Sequence, residues 1–272
     1  MRKLINICLL TVLGCSQLQA QEQLFIEDLT SRELAAKIRA GAQTVLIFSG
    51  GTEASGPHLV LGKHNYRVRR YAAQIANSLG NTLIAPILPF APNHPVLERF
   101  PGTISLSNQT FTSVHEDLVR SMMMAGFRYI VLLSDHFNSQ QPLKILAARL
   151  DSTLQPKGVR VFFSSDGYAK ARTQIEAMIA ANGQVPGGHG GLWDAAETWA
   201  ATPSAVRTAY FASGDTTKGG NGPLDAAGVS GDPCMATPEQ GQVFGKLRVQ
   251  LAVAEIRAWL IKIKSKNGDT SY

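Results

Sequence analysis

Between Gly50 and Asn65 the chain reads GGTEASGPHLVLGKHN, which places one acid (Glu53), one hydroxyl (Ser55) and two imidazoles (His58, His64) in a Gly/Pro-interrupted loop. The loop directly follows the apolar run Val45, Leu46, Ile47, Phe48, so polar chemistry sits at a strand end, where a rigid scaffold can hold it. Two other stretches have the same character. Asp135, His136, Phe137 and Asn138 follow Ile130, Val131, Leu132 and Leu133, and the glycine-dense segment Gly187 to Asp194 (GGHGGLWD) precedes a helical stretch. Glu and His contributed from separate strand ends suit a divalent metal, which takes neutral imidazole and carboxylate ligands. No HExxH or CxxC fixes two ligands on one element, so spacing alone leaves other readings open. Glu53 can instead form an ion pair with Lys63 or Arg67, His136 can be a neutral histidine satisfied by backbone, and Gly187 to Gly191 can be a turn. His94 in its proline-rich loop and His115 beside Glu116 are read as structural. Ser55 lacks the GxSxG context of a nucleophile elbow.

The elements that must position these groups alternate. A helix before Ala40, capped by Asp28 or Thr30 and ended by Gly41, precedes a buried strand, Thr44 to Ser49. Helix Asn65 to Leu79, with Val68, Ala72 and Ile75 inward, leads to strand Thr82 to Leu88. After a loop from Pro89 to Gly102 come a short extended piece (Thr103 to Leu106), helix Gln109 to Gly126 and strand Arg128 to Leu133. Helix Gln141 to Leu154, strand Val159 to Ser164 and helix Tyr168 to Ala181 continue the alternation. Then come helix Ala195 to Ala201, a last strand Val206 to Phe211, a glycine-rich loop and a terminal helix Pro238 to Ile263, with Val243, Leu247, Leu251 and Ala254 toward the core. This order predicts an α/β fold with a mostly parallel sheet between helical layers, three layers in α/β/α order. In such sheets functional groups gather beyond the carboxyl ends of the strands.

At 272 residues and 44% hydrophobic content, residues 21–272 are expected to form one domain. The net charge of +6 is scattered, and the one dense basic run, Arg67, Arg69, Arg70, has helical spacing, which argues against nucleic-acid binding. Arg2 and Lys3 precede an apolar run from Leu4 to Gly14, and Leu18-Gln19-Ala20 offers a small residue before Gln21, so residues 1–20 read as a cleaved export signal. That predicts a periplasmic or secreted protein; lipid attachment at Cys15 is the alternative, which the bulky Leu13 fits poorly. The apolar run is too short to span a hydrocarbon core of about 30 Å, so no membrane span is expected. With Cys8 and Cys15 in the signal, Cys234 alone remains and no intramolecular disulfide is expected.

On four blocks the chain resembles the creatininase (creatinine amidohydrolase) family. Gly51-Thr52-Glu53-Ala54-Ser55-Gly56-Pro57-His58-Leu59 is similar to the family's G-S/T-x-E-Q-H-G-P-H-L-P, which a T-D pair follows; Phe100 to Ser105 resembles F-P-G-T-I-S. Val131 to Ser139 sits where the family has a strand and N-G-H-G-G-N or G-H-Y-E-N, and His189 to Asp194 is similar to H-A-G-x-x-E. The resemblance implies a creatininase-like fold and a centre that in the family holds two metals. Here Glu53 keeps the first ligand and His136 the strand-end histidine, whereas Ser55 stands in a histidine's place, His64 in the bridging aspartate's and Asn138 in the second-metal glutamate's. The surviving ligands, Glu53, His64 and His136, then serve one divalent ion, zinc first, with manganese or iron as alternatives. His189 matches the catalytic histidine, Asp194 would orient it or bind substrate, and Ser55, His58, Phe137, Asn138 and Trp193 are left to meet substrate. The implied activity is metal-dependent hydrolysis of a small cyclic amide or related C–N bond by a homo-oligomer. The rival is a periplasmic small-molecule-binding protein that kept the fold without the chemistry. The export reading has its own check: mass spectrometry of the periplasmic protein should show a chain beginning at Gln21, and a full-length cytoplasmic product would overturn it.

Overall fold

The computed structural model describes residues 23–220 and 222–266. The proposed export signal and residues 267–272 lie outside the described residues.

Thr30, not Asp28, caps the first helix, α1 (Ser31–Arg39). Its hydroxyl accepts from the Glu33 N–H at 3.3 Å while the Glu33 carboxylate accepts from the Thr30 N–H at 2.7 Å. This reciprocal box satisfies two otherwise unpaired helix donors and contributes about 1 kcal/mol. Strand β1 (Thr44–Ser49) is buried along its whole length, as its unbroken apolar run requires. Helix α2 (Lys63–Leu79) leads to β2 (Thr82–Ile84), α3 (Asn108–Ala125) to β3 (Tyr129–Ser134), and α4 (Gln140–Leu154) to β4 (Arg160–Phe163). Three more helices follow: α5 (Ala169–Ala181), α6 (Leu192–Ala201) and α7 (Pro238–Lys266).

The four strands form a parallel sheet in the order β2-β1-β3-β4. Successive residues of β1 point to opposite faces, and each face finds its own layer. Val45 and Ile47 pack with Phe111 and Val119 of α3 and with Leu143 and Leu150 of α4. Leu46 and Phe48 pack with Val68, Ala72 and Ile75 of α2 and with Val249, Ala252 and Ile256 of α7. A third apolar cluster joins α5, α6 and the start of α7 through Ile175, Leu192, Ala196 and Phe244. This is the α/β/α arrangement the alternation predicts. Because β2 lies on one side of β1 and β3 on the other, the chain leaves β1 in one direction and returns on its opposite side. The loops after β1 and β3 therefore diverge at a topological switch point, where open parallel sheets form a crevice.

The structure corrects four local expectations. Strand β2 stops at Ile84 rather than Leu88 because Pro86 and Pro89 cannot donate to a ladder, although Leu88 still bridges Ser49. Thr103 to Leu106 is not a strand but makes isolated bridges, Ile104 with Thr52 and Ser105 with Ala91. Val206 to Phe211 does not join the sheet. It follows a short 3-10 turn at Pro203–Ala205 and contains a second at Thr208–Tyr210, and Val206 bridges Leu59 instead. Finally, α7 is rotated from the expected face: Val243 and Ala254 are exposed, while Phe244, Arg248 and Ala252 are buried. Among the described residues no helix is long and apolar enough to cross a membrane.

His115 on α3 is structural, as its context suggests. Its Nδ1–H donates to the Phe111 carbonyl at 2.8 Å, and Nε2 finds no partner among the described atoms. Burial pushes the imidazole down from 6.5 to about 4. The unfolded chain therefore takes up a proton as pH falls below 6.5 while the folded chain does not until about 4. Stability from this group is complete above the upper value and is lost through that window, roughly 3 kcal/mol in all. Urea denaturation between pH 7 and pH 4 should show this slope in the native protein and its loss in His115→Phe; an identical slope in both would contradict it.

Candidate metal centre

Glu53 stands four residues beyond β1, on a backbone tied down from three directions. The Asn65 side-chain oxygen accepts from Gly51 N–H at 3.0 Å, Thr52 Oγ1 donates to the Pro89 carbonyl at 2.7 Å, and Thr103 Oγ1 accepts from Ala54 N–H at 3.0 Å. The Phe100 to Ser105 block thus acts as a wall that holds the Glu53 loop. Gly51 lets the site close: a Cβ there would lie 3.3 Å from His136 Cδ2 and 3.5 Å from His64 Cδ2. His64 sits on the first turn of α2 and His136 two residues past β3, so both reach the same crevice.

Glu53 Oε2 lies 2.9 Å from His136 Nε2, and Oε1 lies 2.8 Å from His64 Nε2. The ligand atoms of Glu53, His64 and His136 all lie within 4.8 Å of one another, and all three residues are buried. Lys63 joins them. Its Nζ donates to Glu53 Oε1 at 2.7 Å and to His64 Nε2 at 2.9 Å. The Glu53–Lys63 ion pair and the Glu–His–His cluster, alternatives in the sequence, are therefore both present.

Asp135 sets the orientation of His64. One carboxylate oxygen, Oδ2, accepts from His64 Nδ1 at 2.8 Å and from Arg67 Nε at 2.9 Å, while Oδ1 accepts from Arg248 Nη2. Arg67 Nη1 also donates to Asp194 at 2.7 Å, and Arg248 Nη1 donates to Glu197 at 2.7 Å. Burial alone would push these acids up, but the cations outweigh it. Lys63 and His136 hold Glu53 well below the usual carboxylate range, Arg248 and Arg67 do so for Asp135, and Lys63 and Arg67 for Asp194.

His64 Nδ1 lies 2.8 Å from both Asp135 Oδ2 and Arg67 Nη2, and Nε2 lies 2.9 Å from Lys63 Nζ and 2.8 Å from Glu53 Oε1, so each ring nitrogen faces one carboxylate and one cation. With the proton on Nδ1 and donated to Asp135, the Nε2 lone pair is free for one cation, the Lys63 ammonium or a metal ion. The carboxylate behind His64 is the usual support of a metal-ligating imidazole. His136 pairs through Nε2 with Glu53, and its Nδ1 is buried without a partner among the described atoms. The donor set fits one divalent ion.

These groups open onto a cavity of about 890 Å³, a size suited to a small molecule. Phe137, Asn138, Trp193, His189 and Asp194 line it; Ser55 and His58 do not. His58 Nε2 instead pairs with the Gly190 carbonyl at 2.8 Å, and its ring meets Phe211 edge-on. Ser55 Oγ lies 3.1 Å from His189 Nε2, which also donates to the Ala54 carbonyl at 2.8 Å. That bond leaves His189 Nδ1 unprotonated, 3.7 Å from Glu53 Oε1. Burial and the Lys63 charge push His189 down. Asp194 accepts from Gly190 N–H at 2.9 Å, so it holds the backbone next to His189 rather than the ring. Lys63, Arg67, Glu197 and Arg248 are members of the site that the sequence reading did not select. The one local signal was that Arg67 follows Lys63 by four positions and His64 by three, on one helical face.

The sequence pattern of the creatininase family, described as creatinine amidohydrolase, matches residues 27–256. A creatinine amidohydrolase of Pseudomonas putida is 26% identical over 122 residues, which covers 43% of this chain and 46% of that protein. The 3-dehydro-scyllo-inosose hydrolase of Thermotoga maritima is 26% identical over 113 residues, 41% of this chain and 35% of that protein. These matches span less than half the length of either relative. Among solved structures, a creatininase with Mn superposes with a TM-score of 0.71 at 20% identity, covering 87% of this chain and 98% of that one, a likeness of fold.

The buried ion network carries a test of its own. Arg248→Met leaves Asp135 and Glu197 each short of a cation, so it should cost about 3–5 kcal/mol in urea denaturation. Pairing it with Glu197→Gln should recover part of that loss; a double variant less stable than the single one would contradict the network.

Proposed function

The chain belongs to the creatininase family, and from that premise we propose that it is a metal-dependent hydrolase of a C–N bond in a small cyclic amide or related molecule. The observation that carries this reading is the cluster of Glu53, His64 and His136 beyond the strand ends, open to a cavity of about 890 Å³. Those three residues would hold one divalent ion, with zinc ahead of manganese or iron for a site of two imidazoles and one carboxylate. When bound, such an ion supplies Lewis acidity that polarises a carbonyl and acidifies water.

The chain's own residues supply the proton transfers. His189 is neutral at pH 7, because burial and the Lys63 charge push it down, and its Nε2–H is fixed on the Ala54 carbonyl. Nδ1 is therefore the atom that takes a proton from attacking water and returns it to the leaving nitrogen. Asp194 positions this group through Gly190 and keeps Arg67 in place. Phe137 and Trp193 offer aromatic walls for a flat ring, and Asn138 adds an amide that can both donate and accept.

Metal analysis and hydrolysis of a lactam panel test the reading together. One tightly held divalent ion per chain is expected, lost in Glu53→Ala and His64→Ala, and His189→Ala should lower kcat by roughly 10²–10⁴-fold with the ion retained. Two ions per chain, or one that survives both ligand substitutions, would overturn the ligand assignment. Thermal stabilisation by a lactam with no turnover in the metal-loaded protein would favour the binding-protein alternative.

A further inference from the structure

We propose that the substrate carries a carboxylate of its own, apart from the bond that is cleaved, and that Arg172 of α5 is the specificity residue that receives it. The proposal rests on the hydrolase reading above and names the substrate class of that site.

The cavity is larger than one ring needs. Pockets of roughly 300–1,000 Å³ enclose drug-sized ligands, so a bare lactam would leave most of the volume of about 890 Å³ to water. The rest of the substrate has to suit the charges of the wall. Every acid that lines the cavity, Glu53, Asp135, Asp194 and Glu197, belongs to the buried network and is already engaged by Lys63, Arg67 or Arg248. Arg172 and Arg99 line the cavity outside that network.

Of these two cations, Arg172 is the one held in place. Its side chain is only 29% exposed, and its Cζ stands 5.7 Å from the Trp193 ring centroid and 6.0 Å from that of Phe137, so two aromatic rings steady the charge. Glu176, one turn along α5, takes the Nε–H at 2.7 Å, and the two terminal nitrogens donate to no described group. That leaves the end-on fork of a guanidinium, which matches the two oxygens of a carboxylate. A phosphate would call on more donors, and at the start of α5 the amides of Ala169, Ala171 and Arg172 are already given to the carbonyls of Ser165, Asp166 and Tyr168. Phe137 follows the candidate ligand His136 in the chain and Trp193 precedes Asp194, so the rings that steady Arg172 also border the centre. A substrate ring resting on them would bring a carboxylate substituent toward the fork. Arg99, exposed and 4.9 Å from the Phe100 ring centroid, adds a second positive charge to the same wall.

The test offers the mature chain, loaded with zinc, a series of lactams, each as a ring carboxylate and as the matching neutral carboxamide. Calorimetry gives Kd and product release gives turnover. The tightest ligand should be a carboxylate, bound at least tenfold more tightly than its carboxamide. Arg172→Gln should reduce that preference to within about twofold, Arg172→Lys should keep part of it, and in turnover the loss should fall on KM rather than kcat. Circular dichroism checks that the variants fold; should Arg172→Gln not, Arg172→Met takes its place. A preference that survives removal of the guanidinium, or a wild type that binds carboxamides as tightly as carboxylates or binds no carboxylate of the series, would overturn the proposal. Failure of the hydrolase reading looks different: carboxylates then bind with the preference that Arg172 confers and none is cleaved, whereas cleavage without a charge preference sinks this proposal alone.

Discussion

Everything at this end of the molecule depends on how the Asp135 carboxylate is satisfied. It lies one residue past β3, buried, with Arg248 on one oxygen and Arg67 and His64 on the other. A buried carboxylate stripped of its partners costs several kcal/mol, so α2 and α7 must each deliver an arginine to the same point. That requirement sets how α7, the last helix, lies against the sheet and explains why its buried face includes Arg248. The same contacts fix the orientation of the His64 ring. Packing and chemistry are therefore set by one group, and neither can change without the other.

The network extends outward by sharing. Arg67 serves Asp135 and Asp194, Arg248 serves Asp135 and Glu197, and Lys63 serves Glu53 and His64. Each cation meets two partners, so few buried lone pairs are left without a donor. Such a connected set keeps Glu53, Asp135 and Asp194 ionised and His64 aimed, at the cost of tolerating few single changes. Asp194 shows how far the coupling reaches. Through Gly190 N–H it also sets the backbone that presents His189 to the cavity.

The sheet was legible in the sequence because strands buried on both faces must be continuous apolar runs, and β1 and β3 are. Val206 to Phe211 shows the limit of that signal: a short run with strand character settled against Leu59 because local composition does not say whether a sheet edge is within reach. The meeting of Glu53 and His136 was also legible, since polar residues just past the carboxyl ends of neighbouring parallel strands border the same crevice. Lys63 and Arg67 were legible only as ion-pair partners for Glu53, of which Lys63 is one, and Arg248 was not legible at all. Charged residues at helical spacing read as a solvated face, and α7 was oriented by its leucines. Only the buried acids, which come from other parts of the chain, turn those cations inward.

The departures from the family pattern are coherent when counted as charge. Where the pattern has a threonine and an aspartate this chain has Lys63 and His64, and where it has a glutamate this chain has Asn138. Two carboxylates become neutral and one neutral residue becomes a cation, a change of three positive charges against the two that a divalent ion carries. In a water-poor site, where each uncompensated charge is expensive, those substitutions are tolerated far better together than one at a time. Lys63 alone, beside an intact pair of metal ions, would face strong repulsion, and the loss of the acids alone would leave a second ion without ligands. The set therefore adds positive side-chain charge beside Glu53, where Lys63 pairs with its carboxylate.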